Sequence, residues 1–216
     1  MAEQLRRKPE SVLVFPTGNT PLGLFNELVE RHRAGHMIFD HAHVVILDEY
    51  AGLTANDPRS LTGWLKRELL QPVNIPSSHI HGFDNGPDAL ERTIITLGGL
   101  DLVILGLGPN GHLAFNEPGS AFDSRARRTD LTPESITSNA TYWGSEDRVP
   151  LQGLTLGLGT LSEARSLILM VSGEAKRRIL SRILNDKVSP THPATLLRQL
   201  DQSPVFTDES AISQPR

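Results

Sequence analysis

Short runs of β-branched and aliphatic residues recur along the chain, and stretches with an apolar residue every three or four positions fall between them. The runs at residues 11–15 (SVLVF), 43–47 (HVVIL), 101–105 (DLVIL) and 166–171 (SLILMV) show no polar alternation. Continuous apolar character over so few residues predicts strands buried on both faces. Another short strand is expected near Val205, closing the sheet. Helical spacing puts Leu22, Phe25, Leu28 and Val29 on one stripe of residues 21–32, and Leu61, Trp64, Leu65 and Leu69 on one stripe of residues 60–70. Residues 174–185 carry Ile179, Leu180, Ile183 and Leu184 in the same way, and a last short helix is expected at residues 193–200. Such stripes face a sheet. Strands alternating with helices predict an α/β fold: a mostly parallel open sheet with helices on both faces, Rossmann-like, as a single domain over residues 1–216. Residues 116–156 break the rhythm, being rich in Ser, Thr, Arg and Pro and poor in long apolar runs. Within them, residues 119–150 are read as a mobile flap over a site.

Composition narrows the classes. With 216 residues, 38% apolar and 21% charged, the chain can bury a core of ordinary size. A formal charge of −4 and 5% aromatic residues give no basic excess for nucleic acid phosphates, so no nucleic acid partner is expected. The absence of cysteine removes disulfides and thiolate metal sites. No apolar run approaches the roughly 18–20 residues of a membrane span, and MAEQLRRKPE is too polar for a secretory signal. The expected location is cytoplasmic, where the Asn139-Ala140-Thr141 sequon has no acceptor role.

Ligands of open parallel sheets collect beyond the carboxyl ends of the strands, so the residues that follow each apolar run carry the most information. After SVLVF comes PTGNTP, residues 16–21, a Gly-containing turn that opens a helix with Pro21 expected at its first position. Such a turn aims backbone N–H groups and the Thr17 and Thr20 hydroxyls at an anion; a plain capped turn reads the same. After HVVIL comes DEYAGL, with Asp48 and Glu49 adjacent at a strand end. Neighbours there point opposite ways, so one carboxylate faces a ligand as base or hydroxyl acceptor, unless both are capping or surface acids. After SLILMV comes SGEAKRR, with Lys176 in the first turn of a helix. A cation there opposes the helix dipole by about 0.3–1 kcal/mol. An anionic ligand removes that conflict, and a merely exposed lysine tolerates it.

The richest segment follows DLVIL: GLGPNGHLAFNEPGS, residues 106–120. Gly106, Gly108 and Gly111 form a literal GxGxxG after a strand. A dinucleotide site also requires the glycines to open a helix and an acid to close the next strand about 20 residues on. Here the glycines run into His112 and Pro118, and Asp130 follows no apolar strand. His112 with Asn110 and Glu117 has another logic, since a carboxylate and an amide orient an imidazole for proton transfer near neutral pH. One His and one acid do not make a metal-ligand set, so no metal is expected; a structural histidine is the plainer alternative.

PTGNTP, LDEYAGL, GLGPNGHLAFNEP, LTLGLGTL and VSGEAK together resemble the glucosamine-6-phosphate deaminase family, in its order and approximate spacing, across residues 12–207. The related 6-phosphogluconolactonases typically carry ADER-like and GHTASLFP segments where DEY and GHLAFNEP stand here. The resemblance implies aldose–ketose isomerisation with deamination of an amino-sugar 6-phosphate to a ketose 6-phosphate and ammonia, with no cofactor. It implies that Asp48 moves a proton between carbons 2 and 1, with Glu49 supporting, and that His112 assists ring opening, oriented by Glu117 and Asn110. Thr17, Gly18, Asn19, Thr20 and Lys176 are implied to hold the phosphate. A sugar-phosphate hydrolase of the lactonase kind and a non-catalytic sugar-phosphate sensor are the alternatives; regulators of the second kind carry a helix-turn-helix for which neither terminus has room. Three departures stand out. Asn110 replaces a common aspartate, so it orients His112 without Coulomb attraction. Thr141 in NATYW replaces a usual arginine, leaving Arg148 or Arg125 to Arg128 as substitutes. The family's usual N-terminal strand is missing, which predicts one strand fewer and apolar surface that a homo-oligomer would cover.

Overall fold

The computed structural model describes residues 1–200 and 203–212. A short helix, α1 (Ala2–Arg7), precedes the central strand β1 (Val12–Phe15), all of whose residues are buried. Among the described residues no strand comes before β1, as expected. Helix α2 (Leu22–Arg33) buries Phe25, Leu28 and Val29, three of the four residues of the expected stripe. Strand β2 (His43–Ile46) lies parallel to β1, pairing Val12 with His43 and Phe15 with Ile46. The chain then leaves the sheet, and β3 (Asp48–Tyr50) pairs antiparallel with a much later strand. Ser60 caps helix α3 (Leu61–Leu65), its Oγ accepting the Gly63 N–H at 3.0 Å. The single helix expected over residues 60–70 changes pitch midway, into one π turn at Lys66–Leu70 that buries Leu69 and Leu70 side by side.

Strand β4 (Ile80–His81), helix α4 (Pro87–Thr96) and strand β5 (Leu102–Gly106) follow. The next stretch, read from composition as a flap, is built of regular elements: β6 (Arg127–Asp130), α5 (Pro133–Trp143) and β7 (Gln152–Thr155). Helix α5 has clear end signals. The Thr132 Oγ1 accepts the Ser135 N–H, Pro133 takes the first position, and Gly144 ends the helix in the left-handed conformation. Helix α6 (Leu158–Ser162) and strand β8 (Leu167–Val171) return to the core. A short 3-10 turn at Glu174–Lys176 leads into helix α7 (Arg177–Asn185), and strand β9 (Val205–Thr207) closes the sheet as expected. The expected helix near residue 193 is a 3-10 segment, Pro193–Gln199.

The main sheet is wholly parallel, in the order β4-β2-β1-β5-β8-β9. Counted within the sheet this is 3-2-1-4-5-6, so the direction of winding reverses between β1 and β5. Chains leaving those two strands diverge and open a crevice at their carboxyl ends. A second, antiparallel sheet, β3-β7-β6, continues from the end of β2. It carries its own apolar cluster of Tyr50, Phe115, Leu131, Trp143 and Val149. The two sheets are tied by Asn116, which is fully buried in the loop after β5. Its Nδ2 donates to the carbonyls of Leu113 (2.9 Å) and Leu156 (2.8 Å), and its Oδ1 accepts from Arg127 at 2.8 Å. Alanine there removes all three of these hydrogen bonds at a fully buried position, although the Leu156 carbonyl keeps the Thr155 hydroxyl and Arg127 keeps Ser120. We expect Asn116→Ala to cost about 2–4 kcal/mol in urea denaturation with little change in slope; a loss below about 0.5 kcal/mol contradicts the tie.

Candidate active site

A cavity of about 570 Å³ lies at the crevice between β1 and β5. Its walls come from the turns after β1, β5 and β8, from the start of β3 and from one face of α5. Every one of these segments follows the carboxyl end of a parallel strand or lies across those ends.

Asp48 and Glu49 divide as strand neighbours must. Glu49 turns away from the cavity to the start of α3, where it accepts from the N–H groups of Tyr50 (2.9 Å), Leu61 (3.0 Å) and Thr62 (2.9 Å) and from the Ser60 hydroxyl (2.6 Å). It is a helix-capping acid with both oxygens occupied. Asp48 points the other way and lines the cavity, with 8% exposure. Its Oδ1 is buried with no hydrogen-bond partner among the described residues. Burial pushes its carboxyl up from the ordinary 3.8 to about 7, and the charge of Glu49 adds to the rise.

His112 lies across the cavity in an irregular loop. The glycines before it serve geometry rather than a dinucleotide: a Cβ on Gly108 would stand 2.1 Å from the His112 ring. Only glycine leaves room for that imidazole. The His112 Nδ1 lies 3.3 Å from Glu117 Oε2 and 3.2 Å from the Ser135 hydroxyl of α5. Behind the ring, Glu117 Oε2 accepts from Asn110 Nδ2 at 2.9 Å and from the Thr132 hydroxyl at 3.1 Å, while Asn110 Oδ1 accepts the His112 N–H at 3.2 Å. Burial raises the Glu117 carboxyl, but the hydrogen bond and charge of His112, with Ser135 and Asn110, outweigh it and hold the group at about 2. Glu117 is therefore the ionised acceptor that fixes the imidazole, with Nε2 left free of protein hydrogen bonds among the described residues. Asn110 and Glu117 meet His112 without lining the cavity themselves.

Thr17, Gly18, Asn19, Thr20 and Lys176 all line the same cavity. Gly18 has φ 92°, which turns the chain ahead of α2, and helix α2 starts at Leu22 with Pro21 as its cap, one residue later than expected. Ser172, which the sequence did not single out, donates to Thr20 Oγ1 at 3.1 Å and joins the turns after β1 and β8. Lys176 is half-buried, ends the 3-10 turn before α7, and has no ion pair among the described residues. Burial lowers its basicity. The cation opposing the helix dipole is thus also desolvated, a combination that an anionic ligand relieves.

The arginines expected to substitute at Thr141 do not reach the cavity. Arg125 pairs with Glu163, Arg127 with Asn116 and Ser120, and Arg128 with Gln152; neither they nor Arg148 lines it. Thr141 itself is exposed on α5, and its neighbours Tyr142 and Trp143 do the lining. Among the described residues the arginine that lines the cavity is Arg59, in the loop between β3 and α3. The only signal for it in the sequence is a cation two residues past Asp57 in a Pro-containing turn, which reads as ordinary surface. Ser135, Ser138 and Asn139 on α5 were missed for the same reason.

The fold is a doubly wound α/β sheet whose switch-point cavity is lined by a buried acid, an oriented imidazole, threonine hydroxyls and a lysine. Residues 1–206 match the family model described as glucosamine-6-phosphate isomerases/6-phosphogluconolactonase, and the chain belongs to that family. It is 40% identical over 220 residues to a glucosamine-6-phosphate deaminase of Rhodopirellula baltica, covering 99% of this chain and 88% of the relative. A glucosamine-6-phosphate deaminase of Bacillus velezensis is 35% identical, with 98% and 90% covered. The solved structure of a monomeric glucosamine-6-phosphate deaminase superposes with TM-score 0.93 at 31% identity, covering 97% of this chain and 90% of that one. A 6-phosphogluconolactonase of Thermotoga maritima shares the fold, with TM-score 0.72 at 23% identity over 95% and 88% of the two chains. The chain is an enzyme of the glucosamine-6-phosphate deaminase family.

The raised Asp48 carboxyl carries a stability prediction with a definite sign. Its folded value of about 7 lies above the ordinary 3.8, so its contribution is intact at low pH and is lost as pH rises through 7. Asp48→Asn removes that loss. Thermal denaturation at pH 8 is expected to show the variant more stable than wild type by on the order of a few kcal/mol. The gap should close toward pH 4, and a variant equally stable at both pH values contradicts the burial of an unpaired carboxylate.

Proposed function

We propose that this protein converts an amino-sugar 6-phosphate, glucosamine 6-phosphate, and water into fructose 6-phosphate and ammonia. The observation that carries this reading is one cavity holding both an unpaired buried acid tuned to about 7 and an imidazole fixed by an ionised glutamate. The names of the relatives above 30% identity supply the substrate.

The phosphate is held by the turn of Thr17, Gly18, Asn19 and Thr20 together with Lys176, which anchors the sugar away from the reacting carbons. His112 handles the proton that moves between the anomeric hydroxyl and the ring oxygen, opening the ring to the aldehyde. Its Nδ1 stays against Glu117, so Nε2 is the working atom. Asp48 then takes the proton from carbon 2, giving an enolamine, and returns a proton to carbon 1. The resulting iminium at carbon 2 adds water and expels ammonia, leaving the ketone. A carboxyl near 7 suits both halves of that transfer, because it is a better base than an ordinary aspartate and still a usable acid. Glu49 has no part in the transfer and holds the strand end by capping α3. Residues 1–216 act as a single catalytic domain, and residues 119–150 carry α5 as a cover over the cavity whose movement admits the sugar. The substrate is a small cytoplasmic metabolite in this reading.

Incubation with glucosamine 6-phosphate should release ammonia and a ketose 6-phosphate in equal amounts; binding without either product, or turnover of 6-phosphogluconolactone alone, contradicts the proposal. Asp48→Asn is expected to lower kcat by about 10²–10⁴ and to abolish exchange of the carbon 2 hydrogen with solvent. KM should move by no more than about threefold, because the phosphate contacts are untouched. In wild type, kcat/KM should fall on the acid side with a midpoint at about 7, as Asp48 takes up its proton; exchange that persists in the variant removes Asp48 from the role of base.

A further inference from the structure

Beside His112, two cationic residues line the cavity among the described residues, Lys176 and Arg59. Lys176 has a place in the reading above, and Arg59 has none. Arg59 is stored in its own loop: its Nε and one terminal nitrogen donate to the two oxygens of Asp57 at 2.9 and 2.8 Å, and its backbone N–H donates to Asp57 Oδ1 at 2.9 Å. The guanidinium lies over the Trp143 ring, with its central carbon 4.8 Å from the ring centroid. The second terminal nitrogen makes no hydrogen bond among the described residues, and the side chain is 52% exposed.

Helix α5 fixes where along the cavity this guanidinium stands. Ser135 near its start touches the His112 ring at 3.2 Å. Trp143 lies eight positions further on, about 12 Å along the axis at 1.5 Å per residue. Tyr142, beside Trp143, has its hydroxyl 3.8 Å from the point where a Cβ on Gly18 would stand. The helix therefore spans the cavity from the imidazole to the turn after β1, and Arg59 is stationed at the Gly18 end, remote from His112.

The loop has no evident need of this side chain. Its turn is closed by the backbone bond from Ser60 N–H to the Asp57 carbonyl. An exposed Asp–Arg pair adds little to stability. A planar fork resting on an aromatic face, with one edge unsatisfied, is suited to two-point contact with a phosphate, which offers the same oxygen spacing as the carboxylate that now holds it.

We propose that Arg59 is a substrate-contacting residue: it leaves Asp57 wholly or in part to take the 6-phosphate alongside Lys176, while Trp143 keeps the guanidinium plane in place. The inference rests on the reading that this cavity binds a hexose 6-phosphate, and it deepens that reading by assigning a second cation to the phosphate. Asp57 is the anion that the phosphate replaces on the guanidinium.

Calorimetric titration with fructose 6-phosphate, unphosphorylated fructose and inorganic phosphate tests it on wild type, Arg59→Gln, Arg59→Lys and Asp57→Asn. Arg59→Gln is expected to weaken fructose 6-phosphate about 10- to 100-fold and to raise KM by a similar factor, with kcat within about threefold. Lysine should restore only part of the affinity, because it lacks the fork. Asp57→Asn, which loosens the loop but spares the guanidinium, should bind as well as wild type or better. Binding of fructose 6-phosphate by wild type that Arg59→Gln leaves unchanged overturns the inference alone. An equal loss in Asp57→Asn also overturns it, by assigning the effect to the shape of the loop. Wild-type protein that binds neither fructose 6-phosphate nor inorganic phosphate overturns the functional reading and this inference with it.

Discussion

Keeping the Asp48 carboxyl out of water, with one oxygen unpartnered, costs folding free energy, and the surrounding architecture is arranged to hold it there. The first requirement is that the chain leave the parallel sheet at Leu47 and start a second sheet at once. Asp48 pairs with Thr155 in that sheet, so its backbone is fixed against β7 while its side chain faces the crevice. The second requirement is that the adjacent acid be disposed of. Glu49 spends its four acceptor contacts on α3 and Ser60, so the two carboxylates diverge rather than compete for one ligand. The charge of Glu49 still reaches Asp48 and adds to the lift that burial begins. A capping acid next to a buried, cavity-facing one thus has an electrostatic as well as a structural consequence.

The rest of the site is divided between the rigid sheet and the elements laid over it. The parallel strands, buried throughout β1 and nearly so in β5, with alternate residues half-buried in β8, place the turns after β1, β5 and β8 at one end of the sheet. Those turns supply Gly18, His112 and Lys176, while α5 closes the cavity from the other side with Ser135 at the imidazole and Tyr142 at the Gly18 turn. The buried Asn116 binds the loop of His112 to the strand that pairs with Asp48. Acid and imidazole, which come from different sheets, are in this way held by one hydrogen-bonded frame.

Most of the main sheet was legible in the sequence because strands buried on both faces need uninterrupted apolar residues, and SVLVF, HVVIL, DLVIL and SLILMV have little else to signal. Their ends shifted by a residue for local reasons: Asp101 stays outside β5 because its carboxylate accepts the Val12 N–H at 2.8 Å and pairs with Lys8 and Arg165. The second sheet was not legible. DEY, RRTD and QGLT are half-solvated or carry functional side chains, and their pairing partners lie far apart in sequence. Helix α5 announced itself only through Thr132, Pro133 and Gly144, since its inward face is lined with Ser, Asn and Tyr rather than Leu. The named site residues came together because each follows the end of a strand. Arg59 did not stand out because a guanidinium beside an aspartate in a turn looks like any surface pair until a cavity is seen beside it.

The proposed chemistry requires Asp48 to be neutral and ionised in comparable amounts near neutral pH. Carbon-13 NMR of protein labelled at the aspartate side-chain carboxyls, with the Asp48 resonance assigned by its loss in Asp48→Asn, measures this directly. A titration midpoint at about 7 is expected, against the ordinary 3.8. A midpoint below about 5, within the usual spread of aspartates, would contradict it.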